Sequence, residues 1–492
     1  MPPYPEAARR HLARPTGAGD LAGASAVGES GSAACGDLVR VGLWIAGGRV
    51  TDARFSAFGC GALQAAASAA CAALAGRPLS EAAMLSADAL DRELGGLGPA
   101  RGHGPEAVVD AVARAVEAHH SERLGHAGLP LAPERVAVAM SGGVDSAVAA
   151  MLLTRAGYEV VGVTMRLWHD PAAAAADRSC CSPETVQMAR RTAHRLGIPH
   201  LTLDVAETFR RGVVEEFVAG YAAGRTPNPC VTCNGTVRFR VLAQAAAQVG
   251  AWGLATGHYA RAVREPGGRV LIGRAADGAK DQSYMLAMVP GDLRERLMFP
   301  LGDMTKDRVR ALAREAGLDA AAAVESQEVC FVGVGGHVPF LERAGVARRP
   351  GAIVDETGTV LGEHEGYWRF TVGQRRGIGV ASDGPLYVLG TDPRRDRVVV
   401  GPRARLAVDR LVLDPARVHG GLEDGTLDVR VRYRGPELRG RARASGQRIH
   451  VDLLDAADGV APGQTAALYR DGRLVAAGTI VEAPRVGEHR EE

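Results

Sequence analysis

The chain has 492 residues, of which 46% are hydrophobic and 23% charged, with a formal net charge of +2. That length predicts two to four domains, and the globular composition excludes a disordered or fibrous chain. No apolar run approaches the ~20 residues that span a bilayer, no signal-peptide pattern opens the chain, and the charge creates no global basic field. These features predict a cytoplasmic protein without a membrane partner, whose nucleic-acid contacts, if any, are local.

Residues 1–30, rich in Ala, Gly, Pro and Ser without periodicity, predict a disordered tail. A first domain is expected over 31–125. Residues 38–58 alternate as a β-hairpin about Gly47 and Gly48, Ala-rich helical patterns follow near 62–75 and 105–120, and 121–133 reads as a linker. A second domain is expected over 132–345. A strand at 135–140 runs into a Gly-rich loop and a helix at 147–156. A strand at 160–165, a helix at 184–196 and a strand at 200–203 follow. Strands alternating with helices predict a doubly wound parallel sheet, with helical patterns continuing to about 345. Beyond Pro350 short strands and Gly/Asp turns predict a small β-rich central domain, 346–407, and a C-terminal β-barrel, 408–485. The fold class is therefore α/β multidomain, with an α+β N-terminal unit.

The loop between the first strand and helix of the second domain is Ser141, Gly142, Gly143, Val144, Asp145 and Ser146. Small residues let backbone N–H groups approach an anion, and the helix N-terminus adds partial positive charge. This is not the Walker-type loop with its Lys. It resembles the PP-loop of ATP pyrophosphatases, which adenylate a substrate and release pyrophosphate. That resemblance implies ATP with Mg2+, held by Ala139, Met140 and the loop, with Asp145 supporting the metal–pyrophosphate.

Eight cysteines in a chain expected to be cytosolic point to catalysis or metal binding before structural disulfides. Thr226-Pro-Asn-Pro-Cys-Val-Thr-Cys233 is followed by Ala255-Thr-Gly-His258-Tyr259, by Lys280, Asp281 and Gln282, and by Ser326-Gln-Glu-Val-Cys330. In this order the motifs resemble the MnmA tRNA 2-thiouridylase family over roughly 135–485. The resemblance implies adenylation of the C2 oxygen of the wobble uridine, then attack by sulfur on C2. Cys330 would carry a persulfide, and Cys233 would act as nucleophile or as the cysteine that resolves it into a disulfide. Met165 and Gly257 would contact ATP. Asn228, Pro229 and Cys230 would face the target base, and Lys280, Asp281 and Gln282 would contact tRNA. The only two lysines are Lys280 and Lys306 among 58 basic residues, so these positions select a compact ammonium over the Arg used elsewhere. Lys306 lies in a stretch that runs near phosphate in PP-loop enzymes. One departure is Cys230, where the family commonly has Asp. It creates a C-x-x-C that, with Cys330, offers three thiolates, so a [4Fe-4S] cluster on Cys230, Cys233 and Cys330 competes with the persulfide, and zinc is a third option. Cys180 and Cys181, after the second strand, carry no assigned role.

The N-terminal unit lies outside that resemblance. Ala34-Cys35-Gly36-Asp37, the hairpin and Phe58-Gly-Cys60-Gly61 resemble the IscU/NifU iron–sulfur scaffold family, whose later His-Cys pair reads His103-Gly104 here. Cys35, Asp37, Cys60 and His103 would form an Fe–S or zinc site lacking the third family cysteine. The alternative is a decayed scaffold kept for docking. Tethering a scaffold to a sulfurtransferase raises the local concentration of donor. No desulfurase site with a cofactor lysine is visible, so sulfur would come from a cysteine desulfurase or another donor.

Residues 403–448 hold eleven Arg against six acidic residues. Arg432 and Tyr433 occupy the family's tRNA-contact dipeptide, suited to phosphate pairing and base stacking. The sequence thus predicts an ATP-dependent tRNA uridine 2-sulfurtransferase with a scaffold-like N-terminal domain. Its rivals are another PP-loop amide-forming ligase, which needs no thiols, and a non-enzymatic Fe–S carrier, which needs no intact ATP loop.

Overall fold

A computed structural model describes residues 4–32, 37–98, 101–126, 128–168, 183–322, 329–333, 335–422 and 425–487. The first unit starts earlier than the sequence predicts. Helix α1 (Glu6–Ala13) packs on the helices behind it with Ala8 fully buried, and strand β1 (Ala26–Ser32) pairs antiparallel with β2 (Asp37–Ala46). The expectation of a disordered tail over 1–30 is therefore corrected. Its order comes from burial of Ala8, from Ser68 Oγ binding Thr16 N at 2.8 Å, and from backbone bonds between Gly17, Gly19 and Phe55. These are long-range contacts that leave no local period to read.

The expected hairpin joins β2 to β3 (Arg49–Phe58). Gly47 and Gly48 sit at φ +56° and +73°, the left-handed pair that a tight hairpin turn requires. Helices α2 (Gly61–Leu74), α3 (Leu79–Ala82), α4 (Ala87–Glu93) and α5 (His103–Glu122) follow. The buried stripe Val39, Val41 and Leu43 faces α2 and α5, whose Ala-rich surfaces permit close approach. At Gly28 a Cβ would lie 2.0 Å from Ala111 O, so β1 rests directly on the α5 backbone.

The second unit comprises β4 (Ala132–Ala139), α6 (Val144–Arg155), β5 (Glu159–Arg166), α7 (Pro183–Arg195), β6 (His200–Asp204), α8 (Ala206–Phe209), α9 (Glu215–Ala222), α10 (Pro229–Cys233), α11 (Phe239–Gln248), β7 (Ala251–Thr256), β8 (Ala260–Arg264), β9 (Val270–Arg274), α12 (Gly291–Arg294), β10 (Leu297–Met298), α13 (Lys306–Glu315) and α14 (His337–Arg343). Its sheet is parallel, in the order β10-β7-β4-β5-β6. The chain leaves β4 toward β5 on one side and returns as β7 on the other, which opens a crevice at the carboxyl ends of β4 and β7, where ligands bind in such sheets. The helical reading to residue 345 missed β7 to β10. The β8–β9 hairpin leaves this sheet and meets the C-terminal barrel at Gly273 and Arg473.

The two units share an interface along α5. Ser121 Oγ accepts from Asp204 N at 2.9 Å, covering the open edge at β6. His120 Nδ1 meets Gln248 Oε1 at 2.8 Å, and Gln248 Nε2 donates back to His120 O. Glu117 pairs with Arg166 at 2.9 Å, and Asp110 with Arg190 at 3.4 Å. The predicted linker is pinned rather than loose: Leu129 N bonds Ala247 O, and Ala132 N bonds Gly250 O.

The β region divides in two. Strands β11 (Gly351–Val354), β12 (Val360–His364), β13 (Tyr387–Asp392) and β14 (Arg397–Gly401) form a sheet in the order β12-β11-β14-β13 around Ile353, Trp368, Val388 and Val398. Strands β15 (Ala407–Val418), β16 (Leu427–Arg430), β17 (Leu438–Ser445), β18 (Arg448–Asp458), β19 (Thr465–Arg470) and β20 (Arg473–Glu482) run in the order β15-β18-β17-β16-β19-β20, and a β15–β20 pairing closes them into a six-stranded barrel. Among the described residues no helix is long and apolar enough to cross a membrane.

Candidate active site

The Gly-rich loop forms where β4 ends and α6 begins. Gly142 sits at φ +74°, and a Cβ there would lie 2.4 Å from Thr185 O, so both the backbone and the space demand glycine. Ser146 Oγ accepts from Ser141 N at 3.2 Å and donates to Gly143 O at 3.0 Å, tying the loop across its mouth. Val144 and Met140 are buried beneath it. Met140 O accepts from Thr164 Oγ1 at 2.7 Å, and that hydroxyl in turn faces His200 Nε2 at 2.8 Å. Burial pushes the His200 imidazole down to about 3, so this support is neutral. Ala139 and Met165 end neighbouring strands on the loop side of the sheet. The expected ATP residues thus share one crevice, with the α6 N-terminus as its anion-facing wall.

Gly257 closes the crevice from β7. A Cβ there would lie 2.7 Å from the Asp145 carbonyl carbon and from Ser146 N. Asp145, in the first turn of α6, binds Lys306 Nζ through both carboxylate oxygens at 2.8 Å and accepts from Tyr259 OH at 2.9 Å. Lys306 is 6% exposed at the start of α13, where Thr305 Oγ1 accepts from Arg308 N as N-cap. Its ammonium therefore reaches the loop from outside the sheet. Tyr259 was absent from the sequence-derived site, although its Thr-Gly-His-Tyr motif marked the position.

His258 links this crevice to the cysteine helix. Its ring lies 6.0 Å from that of Phe239, the first residue of α11, and its Nδ1 meets Thr256 Oγ1 at 2.8 Å. Desolvation pushes the half-buried imidazole down to about 3. Residues 229–248 form one helical rod: α10, a π-helical turn at Asn234–Arg238, then α11. Such π turns frequently mark functional sites. Asn228 caps α10 by accepting from Val231 N at 3.3 Å, and Pro229 takes the first helical position. Cys230 is half-buried on this helix, and Cys233 is 4% exposed. Cys330 is half-buried beside Phe331, which packs against Phe209, Phe217 and Phe340.

The segment leading into α10 is held by every neighbouring unit. Thr226 N donates to Pro462 O and Thr226 O accepts from Gln464 Nε2, both at 2.8 Å, from the barrel. The central domain contributes Thr371 against Thr226 Oγ1, Thr391 Oγ1 donating to Gly224 O, and Tyr367 OH donating to Ala222 O. Tyr284 binds Thr465 O at 2.8 Å and the Asn228 side chain, and burial raises its hydroxyl far above the usual range. The Tyr433 ring lies 6.3 Å from that of Tyr284, and the Arg434 guanidinium lies 5.2 Å over the Tyr433 ring. Half-buried Tyr433 thus neighbours the tyrosine that binds Asn228, and Arg432 beside it is exposed.

Asp281 and Gln282 face inward. Asp281, 4% exposed, accepts from Ala275 N, Ser283 N, Ser283 Oγ and Arg430 Nη1. Gln282 Oε1 accepts from Tyr259 N at 2.9 Å. In this arrangement buried Asp281 organises the junction of sheet and barrel, a departure from the direct RNA contact expected of it, while Gln282 and Lys280 are half-buried.

In the N-terminal unit, Asp37, Cys60 and His103 bring their ligand atoms within 4.8 Å of one another. Cys60 Sγ lies 3.3 Å from Asp37 Oδ2 and 3.4 Å from His103 Nε2, while His103 Nε2 lies 3.2 Å from Asp37 Oδ2. Burial, then the Asp37 carboxylate, raises the Cys60 thiol. Cys71, buried on α2, is pushed up to about 12 by burial. Cys35, Cys180 and Cys181 lie outside the described residues. At Gly104 a Cβ would lie 2.8 Å from Leu63 N and 2.9 Å from Ala62 C, so the missing family cysteine is replaced by direct backbone packing. Among the described residues this is the one His/Cys/Asp/Glu group gathered so tightly.

Four family models match in succession: a NifU-like N terminal domain over residues 3–125, a tRNA methyl transferase HUP domain over 134–334, a tRNA methyl transferase PRC-barrel domain over 339–402, and an aminomethyltransferase beta-barrel domain over 408–480. The chain is 46% identical over 481 residues to the bifunctional protein NifU/MnmA of Rubrobacter xylanophilus, covering 96% of this chain and 97% of that one. The chain belongs to the NifU/MnmA family. The MnmA part alone is 44% identical over 370 residues to the tRNA-specific 2-thiouridylase MnmA of Xanthobacter autotrophicus, covering 73% of this chain and 95% of that relative. A comparable match, 45% over 367 residues, is the tRNA-specific 2-thiouridylase MnmA of Methylorubrum populi, covering 72% and 95%. The NifU/MnmA match spans the α5 interface, so both halves and their junction belong to one family architecture.

Proposed function

We propose that the chain transfers sulfur to C2 of the wobble uridine of tRNA at the expense of ATP. The observation that carries this reading is the Gly257–Tyr259 segment, which touches the ATP loop on one side and the cysteine helix on the other. Phosphates would lie against the α6 N-terminus and the loop amides, and Asp145 would hold Mg2+. Lys306 balances Asp145 and brings positive charge to the phosphate wall. Binding ATP beside Asn228 and Cys230 lets the C2 oxygen of an inserted uridine attack the α-phosphorus, releasing pyrophosphate and turning that oxygen into an AMP leaving group.

The sulfur step needs two thiols. The terminal sulfur of a Cys330 persulfide adds to C2 and AMP departs. Cys233 thiolate then attacks Cys330 Sγ. A Cys233–Cys330 disulfide forms, the S–S bond to the uridine adduct breaks, and 2-thiouridine leaves with the transferred sulfur. An external thiol must reduce the disulfide and a sulfur donor must reload Cys330. In the N-terminal unit one thiolate, one imidazole and one carboxylate form a donor set that fits zinc or a cluster iron. A cation there would hold Cys60 as thiolate, and the tether keeps this unit at high local concentration beside the transferase.

The reading is tested by incubating the full chain with ATP, a persulfide donor, reductant and an unmodified tRNA transcript. AMP and pyrophosphate should accumulate with tRNA, in step with 2-thiouridine. ADP and phosphate, or AMP formation indifferent to tRNA, would point to a different PP-loop reaction.

A further inference from the structure

Beyond the catalytic crevice, many of the chain's arginines are paired with carboxylates, as Arg210 is with Glu207 and Arg405 with Glu356. One group departs from that pattern. Arg294, at the end of α12, is 3% exposed, and its Nη2 donates to Val289 O at 2.8 Å and to His419 Nδ1 at 2.5 Å. His419, directly after β15, donates from Nε2 to Ala287 O at 2.7 Å, so its ring is locked as the neutral tautomer and brings no counter-charge. The buried Arg294 Nε has no hydrogen-bond partner. Half-buried Arg417, at the end of β15, lies in electrostatic reach of both Arg294 and exposed Arg240, and Arg269 Nη1 reaches His419 O at 3.4 Å.

Among the described residues the negative groups nearby are few. Asp292 is the carboxylate in reach of Arg417, and Glu265 lies 3.8 Å from Arg269. Among the described residues no carboxylate makes a salt-bridge contact with Arg240, Arg294 or Arg417. Burying a guanidinium without a carboxylate, beside further guanidiniums, is unfavourable by several kcal/mol unless an anion is supplied from outside. The position is informative as well. Arg240 stands seven residues beyond Cys233 on the same helical rod, which is about 10 Å along its axis.

We propose that Arg240 and Arg417, backed by Arg294 and His419, form a phosphodiester-binding seat that positions the RNA backbone between the cysteine helix and the barrel. Arg240 and Arg417 make the contact. Arg294 acts through Arg417 and is a positioning residue, its charge held in place by His419 and Val289 O. The proposal rests on tRNA being the substrate, as argued above.

The test is binding of an unmodified tRNA transcript to the full chain across a range of salt concentrations, for wild type, Arg240→Gln, the Arg240→Gln/Arg417→Gln double variant and Arg417→Lys. Removing two phosphate contacts should weaken binding by roughly tenfold or more at low salt and lower the log–log salt slope by about 2. Arg417→Lys should retain most of the slope, because Lys still offers a point charge to phosphate. Thermal melting checks folding, and Arg240→Gln, on an exposed helical position, should melt as wild type while losing about 1 from the slope. A double variant that binds with wild-type affinity and slope overturns the seat. A wild-type chain that binds no tRNA overturns the proposed function instead, so the two failures are distinct.

Discussion

At the residue scale, Lys306 shows how a compositional oddity acquires a physical cause. In a chain that uses Arg for nearly every cation, a buried ammonium meets both Asp145 oxygens at 2.8 Å, with the Tyr259 ring 5.8 Å away. A planar guanidinium is larger and cannot take this end-on position in the space available. Lys306→Met should lower single-turnover thiolation by roughly 10²–10³-fold, the usual effect of removing one preorganised charge, and Lys306→Arg should fail to restore it. Wild-type rates for Lys306→Arg would show that position-specific ammonium geometry is not needed. The retained lysine was visible in the sequence, but its partner was not, because residues 145 and 306 meet only through the crossover of the sheet. Gly104 illustrates the converse. The sequence exposed a missing cysteine, and only packing revealed that the α2 backbone occupies the place of its side chain.

Elements with strong local signals were legible. The hairpin, the Gly-rich loop and the alternation from β4 to β6 follow from period and turn chemistry, and the structure bears them out. Elements stabilised from a distance were not. The α1–β1 segment is ordered by burial and pairing across the chain, and β7 to β10 are short strands embedded in Ala-rich texture that reads as helix. The α5 interface belongs to this second class, and it carries a pH dependence. Burial pushes the His120 imidazole down to about 4 from its ordinary 6.5, and it is held neutral against Gln248. His200, His258 and His419 are each pushed down to about 3 by the same cause. In each case the unfolded state binds the proton more tightly. Their stability contribution is therefore complete above about pH 6.5 and is lost as pH falls through the folded values. For His120 alone the linkage amounts to roughly 3 kcal/mol at most. Melting temperature should fall steeply between pH 6.5 and 4, and His120→Gln should flatten part of that fall without moving the melting temperature at pH 8 by a comparable amount. A melting temperature independent of pH over this interval would contradict the buried neutral histidines.

For the whole molecule, two of the four units close on one segment of the third, and the remaining unit covers that unit's sheet edge. The barrel and the central domain clamp Thr226 and Ala222, the sheet supplies Gly257 to Tyr259 as a bridge, and α5 seals the sheet's far edge. The order of motifs made this division readable from sequence, since each motif is local. The convergence on the 222–226 segment was not, because hydrogen bonds such as Gln464 to Thr226 span 238 positions. The inward turn of Asp281 has the same origin: a short polar motif gives no sign of which way its side chains face. The central claim is that two thiols, Cys330 and Cys233, deliver sulfur to an ATP-activated uridine. The most direct measurement is 2-thiouridine formed in a single turnover by the persulfide-loaded full chain, compared with Cys330→Ala and Cys233→Ala. Wild type should form it in step with AMP and end with a Cys233–Cys330 disulfide, Cys330→Ala should form AMP but no 2-thiouridine, and Cys233→Ala should stall before release. Thiolation at the wild-type rate by Cys330→Ala would contradict the account.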